Sequence, residues 1–127
     1  MYACTNNRQA NTVSIRKLLY IGEAENIRSR VSGHERWKDW EQKLQSGEEL
    51  CFNAAIISPA ADRERAEAAM INRHKPPCNV EYVNSFPFEQ TSVWTKGRNA
   101  KLEASFTVYP VRPQGLGSTL LGGGKRW

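Results

Sequence analysis

The sequence predicts an α+β fold, with helices packed on the faces of a small sheet. Two observations carry this. Two strand-like stretches lie close together at the start of the chain, which suggests an antiparallel hairpin. Two helical patterns, a further strand and a third helical pattern then follow one another up to Pro76. With 127 residues the chain can form one domain with a modest core.

Tyr2 to Thr5 is the first strand, and NNRQANT after it is polar and turn-like. Val13 to Ile21, VSIRKLLYI, is rich in apolar and β-branched residues and supplies a second strand ending at Tyr20-Ile21. Gly22 permits the turn that follows. From Ala24 the pattern becomes helical, with Ile27 and Val31 expected to face the core and Gly33 near the end. Arg36 to Leu44 is a second amphipathic stretch, in which Trp37, Trp40 and Leu44 repeat at helical spacing as core residues. QSGEE forms a loop around Gly47, and Leu50 to Ser58, LCFNAAIIS, reads as a strong strand. A third helix begins at Ser58-Pro59 and must stop by Lys75, because Pro76 disfavours a helical residue before it. Beyond Asn79 the pattern thins. Ser92 to Thr95 and Ser105 to Tyr109 are candidate short strands around the basic loop KGRNAK.

The formal net charge is +5, which favours a polyanionic partner through counterion release. No apolar run approaches the roughly 20 residues of a membrane helix, so no membrane partner is expected. The opening MYACTNNRQANT has no basic stretch followed by an apolar one, so no signal peptide is expected and a cytoplasmic location is the default. Cys4, Cys51 and Cys78 form no C-x-x-C pair and read as reduced, structural thiols. With only His34 and His74 beside them, a zinc cluster is not expected.

Glu67 sits among Ala66, Ala68, Ala69, Met70 and Ile71. A carboxylate in such company is partly buried, which is costly unless it is paired or binds a cation. It is either a helix glutamate pointing out of a gap in the core face or a ligand for a hard divalent ion such as Mg²⁺, which uses one or two carboxylates. On the first helix, Arg30 and His34 are four apart and lie on one face, whereas Arg28 lies roughly 120° around the wheel from His34. The pair is either a solvated face or a phosphate site, for which the arginine fork is suited. Tyr2 and Tyr20 on neighbouring strands are packing residues unless other residues recruit them.

Taken in order, these residues resemble the GIY-YIG nuclease superfamily. Its second tripeptide stands as Tyr20-Ile21-Gly22, followed by the helix ENIRSRVSGH with Arg30 on the family arginine and His34 on the histidine or tyrosine position. AEAAMINRHKPPCN then matches the run of glutamate, apolar helix, Lys-Pro and asparagine, with Glu67 on the metal-binding glutamate and Asn79 on the closing asparagine. The chain opens Met1-Tyr2-Ala3-Cys4, so Tyr2 takes the place of the first motif's tyrosine and no residue stands for its opening glycine.

The resemblance implies a three-stranded antiparallel sheet flanked by helices, in agreement with the order of elements above. It covers a nuclease-like domain at 1–82; beyond it, the thinning pattern reads as an irregular extension at 83–110 packed on or near the domain, and the Gly-rich stretch without periodicity as a flexible tail at 111–127. It implies metal-dependent hydrolysis of a DNA phosphodiester, with one Mg²⁺ or Mn²⁺ held by Glu67. Arg30 would stabilise charge on the phosphate, and Asn79 would hold local backbone or a catalytic side chain. Tyr2 or Tyr20 would orient or deprotonate the attacking water. A phenol of pKa about 10 is a poor base unless a cation lowers it, and His34 is the alternative proton carrier. Arg28, Arg36, Lys38, Lys75, Lys96, Arg98 and Lys101 are candidates to track the DNA backbone. No DNA-reading module is recognisable, so specificity is low or comes from a partner. The alternative function, suggested by the missing glycine, is a nucleic-acid-binding module that kept the fold and lost catalysis. The oligomeric state is not legible.

Overall fold

In the computed structural model, residues 1–112 are described, so the tail expected at 111–127 lies outside the described residues from 113 onward. Strand β1 (Tyr2–Asn7) pairs antiparallel with β2 (Thr12–Leu18) on one side and β3 (Glu49–Cys51) on the other, giving the order β2-β1-β3. This is the small three-stranded antiparallel sheet with helices that the sequence predicts. Only one end of β1 enters the core: Tyr2, Ala3 and Cys4 are buried, and Thr5 to Asn7 are exposed.

Several boundaries shift. β2 stops at Leu18, and Leu19 to Ile21 continue as irregular chain held by hydrogen bonds from the Leu19 and Tyr20 N–H groups to the Met1 carbonyl. The strand expected over Leu50 to Ser58 is reduced to Glu49–Cys51, because the register places Cys51 opposite Tyr2 and the ladder with β1 ends there. The apolar residues that follow are not covered: Phe52 is half exposed and Ile56 is 99% exposed.

The helices are shorter than their patterns. Helix α1 (Ile27–Ser32) begins after Asn26, whose Oδ1 accepts the Ser29 N–H at 3.2 Å as a cap. It buries no residue fully, so Ile27 and Val31 are only half-buried where a core face was expected. Helix α2 (Trp37–Glu41) buries Trp40 but leaves Trp37 on the surface, correcting its assignment to the core; Leu44 packs partly. Helix α3 (Ala60–His74) ends where Pro76 requires, with Lys75 in the left-handed conformation (φ 47°) as its C-cap.

Beyond the sheet, β4 (Thr91–Trp94) and β5 (Ser105–Val108) form an antiparallel hairpin around the basic loop. Phe86 and Val111 pair beside it. Two apolar clusters result. Ala3, Leu19, Trp40 and Cys78 join the sheet to α2. Ala68 and Ala69 of α3 pack with Phe86, Phe106 and Val108 beneath the hairpin.

The cysteines depart from the reduced trio expected. Cys4 and Cys51 are joined, and Cys78 is free and buried. The pairing follows from register: with Tyr2 opposite Cys51 and Cys4 opposite Glu49, the two cysteines are diagonal neighbours across β1 and β3. No sequence spacing signals such a contact.

Candidate active site

A cleft of about 230 Å³ opens where the end of β2, helix α3 and the turn after Asn79 meet. Tyr20, Arg36, Glu67 and Asn79 line it together with Ile71, Val80, Glu81 and Tyr82. Three of the predicted catalytic residues, Tyr20, Glu67 and Asn79, 47 and 12 positions apart along the chain, thus line one cleft with Arg36.

Asn79 is the hinge pin of this arrangement. Its Oδ1 accepts the Ile21 N–H at 2.9 Å and its Nδ2 donates to the Ile21 carbonyl at 2.9 Å. The side chain therefore acts as one rung of a ladder, satisfying both backbone groups of a residue that has left its strand. The neighbouring Cys78 N–H donates to the Leu19 carbonyl at 3.0 Å, extending the same ladder. The terminal ammonium of Met1 donates to the Tyr20 carbonyl at 2.8 Å, and burial lowers its pKa to about 6. Tyr20 is thus fixed through its backbone on two sides.

Its ring is fixed as well. It meets His34 edge-on with centroids 5.1 Å apart and Trp40 at 5.2 Å. Gly22 is needed for close approach: a Cβ there would fall 2.8 Å from Tyr20 Cε2. Burial, then the Glu67 charge, pushes the Tyr20 phenol above its ordinary value, against the opposing pull of Arg30 and Arg36. The phenol stays protonated and can donate a hydrogen bond at neutral pH. Tyr2 is buried at the β1–β3 register and is not among the cleft residues; burial raises its pKa too, against a hydrogen bond with Asn53.

Glu67 carries the electrostatic signature. Burial chiefly, then the carboxylates of Glu23, Glu81 and Glu64, push its pKa up to about 7, although a backbone hydrogen bond at Glu23 opposes this. Among the described residues no ion pair reaches it, and Arg63, one turn earlier on the same helix, is given to Glu23 at 2.7 Å. A half-buried carboxylate surrounded by like charges and lacking a counter-cation fits a hard divalent ion. No cluster of three or more His, Cys, Asp or Glu side chains gathers among the described residues, so an ion held by Glu67 would keep most of its shell as water.

Arg30 and His34 do not share a helix face as their spacing suggests, because α1 ends at Ser32 and Gly33 caps it. His34 turns inward and is buried, packed on Trp40 at 4.5 Å. Its Nδ1 accepts the Arg36 N–H at 3.0 Å, which leaves the proton of the neutral ring on Nε2. Burial, then the Arg30 charge, lowers its pKa. Arg30 instead lies at the surface, its fork closed on Glu35 by hydrogen bonds of 2.8 and 3.1 Å. That fork is the main reason the Glu35 carboxyl is held at about 2.

The remaining cations divide. Arg36 lines the cleft and also bonds Asp39 at 3.3 Å. Lys75 is exposed and donates to the Val83 carbonyl, serving the turn. Arg28 and Lys38 are exposed on α1 and α2, and Lys96, Arg98 and Lys101 on the β4–β5 loop. Sequence reasoning passed over Glu23, Glu35 and Glu81, which set the charge of the site. Glu23 beside Gly22 and Glu81 two residues past Asn79 are near the motif, but nothing in their spacing marks them. No protein-family model, curated protein or solved structure matches this chain.

Proposed function

We propose that this protein is a metal-dependent endonuclease of the GIY-YIG type, hydrolysing DNA phosphodiesters at the Tyr20–Glu67–Asn79 cleft. The observation that carries the reading is the half-buried Glu67 carboxylate, raised to about 7 and without a cationic partner among the described residues, beside Tyr20 and Asn79. Its resemblance to the nuclease motif supplies the reaction class.

In this reading Glu67 holds one Mg²⁺ or Mn²⁺. Bound there, the ion supplies positive charge against the scissile phosphate and the leaving 3′-oxygen. The Tyr20 phenol stays protonated and orients the attacking water or a phosphate oxygen by donating to it. Asn79 positions Tyr20 through Ile21. His34 positions the backbone of Arg36, which lines the cleft and would meet the phosphate charge. Arg30 reaches the phosphate only after exchanging its carboxylate partner, Glu35, for a phosphate oxygen; both are bidentate acceptors for the same fork.

That closed Arg30–Glu35 fork is also what favours the second reading, a DNA-binding module without turnover. Supercoiled plasmid separates the two. Metal-dependent nicking that EDTA, Glu67→Ala and Arg30→Ala each remove is the expected result. Plasmid binding without nicking, indifferent to EDTA, selects the binding module.

A further inference from the structure

The β4–β5 hairpin has two unlike faces. In its register Thr91 pairs with Val108 and Val93 with Phe106, and these four side chains turn inward over Ala68 and Ala69. The alternate pairs face outward. Ser92 Oγ and Thr107 Oγ1 hydrogen-bond at 2.8 Å, and the next outward pair is Trp94 with Ser105. Alternation calls for a small polar residue at 94. The residue present is a tryptophan, 74% exposed.

The loop that begins beside it is TKGRNAKLEA, residues 95–104. It carries Lys96, Arg98 and Lys101 against one acid, Glu103. Glu103 is already taken by both arms of Arg73 on α3. Among the described residues none of the three cations has an ion pair. The loop is also anchored. Asn53 Nδ2 donates to the Arg98 carbonyl at 3.3 Å, and Asn53 bonds Tyr2 in turn. A flat, exposed π-face followed by three unpaired cations on a tethered loop is the pairing that single strands require. Bases stack on the aromatic ring while phosphates meet the cations.

We propose that this hairpin is a binding site for single-stranded DNA, with Trp94 as the stacking platform and Lys96, Arg98 and Lys101 as phosphate contacts. Duplex DNA offers the cations its phosphates but keeps its base faces stacked away from Trp94. The inference rests on the nuclease reading for its choice of DNA as the partner, and it assigns that reading a substrate with an unpaired segment.

The test is fluorescence anisotropy with the full chain, in EDTA, using a labelled oligothymidylate of about 15 nucleotides, near the upper site size of single-strand binders. Trp94→Ala is expected to weaken binding roughly tenfold, the loss of one base stack. Trp94→Phe is expected to recover most of it. Replacing Lys96, Arg98 and Lys101 by Ala is expected to flatten the salt dependence by about two in slope. Because Trp94 is exposed, these variants leave the fold intact, which circular dichroism checks. Unchanged binding by Trp94→Ala overturns the proposal, as does a blunt duplex bound as tightly and with the same dependence on Trp94. Plasmid nicking is scored separately. Oligonucleotide binding that needs Trp94 in a protein that never nicks keeps the hairpin site and removes only the nuclease reading.

Discussion

Two parts of the proposed site, the cleft around Tyr20 and the surface arginine Arg30, are held in opposite ways. On one side, Tyr20 exchanges backbone bonds with Met1, the Asn79 side chain bonds both backbone groups of Ile21, and the Tyr20 ring packs against His34 and Trp40. On the other, Arg30 rides on a six-residue helix that buries nothing fully, and among the described residues its side chain is paired with Glu35 at the surface. Surface ion pairs are worth little and are weakened by salt. The first side is thus preorganised, as the proposed chemistry would require. The second is an arm whose partner can be exchanged.

On the proposed nuclease reading, the largest effect that can break this comparison is on turnover. Arg30→Ala is expected to lower metal-dependent nicking by about 10²–10³-fold, the usual loss when one donor to developing charge is removed. It should leave the urea midpoint nearly unchanged, because Arg30 is exposed. Equal losses of stability and activity would show that α1 is a structural prop. Next is Asn79→Ala, which strands both backbone groups of Ile21 and should cost about 2 kcal/mol in urea denaturation, at about 1 kcal/mol per hydrogen bond. A wild-type midpoint there would erase the locked side. Gly22→Ala drives a methyl into the Tyr20 ring and should cost about 1 kcal/mol or more, with near-ultraviolet circular dichroism reporting the displaced aromatic cluster. Smaller still, Glu35→Gln should tighten DNA binding a few-fold in EDTA at low salt, an effect that fades as salt rises. Salt-independent tightening would mean that Glu35 acts by something other than competing for Arg30.

A pH series sharpens the contrast. The folded-state pKa of Glu67, about 7, lies above its ordinary 4.5. Its contribution to stability is therefore fully present below about 4.5 and is lost as pH rises through 7. In EDTA, the Tm of Glu67→Gln should gain on wild type between pH 5 and pH 8. Added Mg²⁺ should narrow that gap by stabilising the wild type alone, and a gap that ignores both pH and Mg²⁺ would mean the carboxylate sits in water.

The locked side is the side the sequence made readable. The glutamate among alanines on α3 and the tyrosine at the end of β2 are local features of short motifs, and the resemblance marks Asn79 as a residue that holds backbone or a catalytic side chain, though it does not give Ile21, 58 residues away, as its partner. Their roles depend on elements whose periodicity is plain. The exchangeable side was not readable to the same degree. Helical spacing joined Arg30 to His34, but Gly33 ends the helix between them and hands Arg30 to Glu35. The Cys4–Cys51 contact, the short β3 and the place of Arg36 in the cleft all depend on register and through-space packing, which no window of sequence contains.

The bond between Asn79 and Ile21 has a consequence for how this chain can change. It ties together residues 58 apart, so everything between them forms a closed circuit with a fixed base. The cost of closing such a circuit grows only slowly with its length, by about 0.6 kcal/mol per doubling. Insertions at the exposed Gln45–Gly47 turn would lengthen the circuit without moving its ends. One asparagine thereby fixes the two ends of a stretch that carries Arg36 and Glu67 to the cleft, while its exposed turn can lengthen.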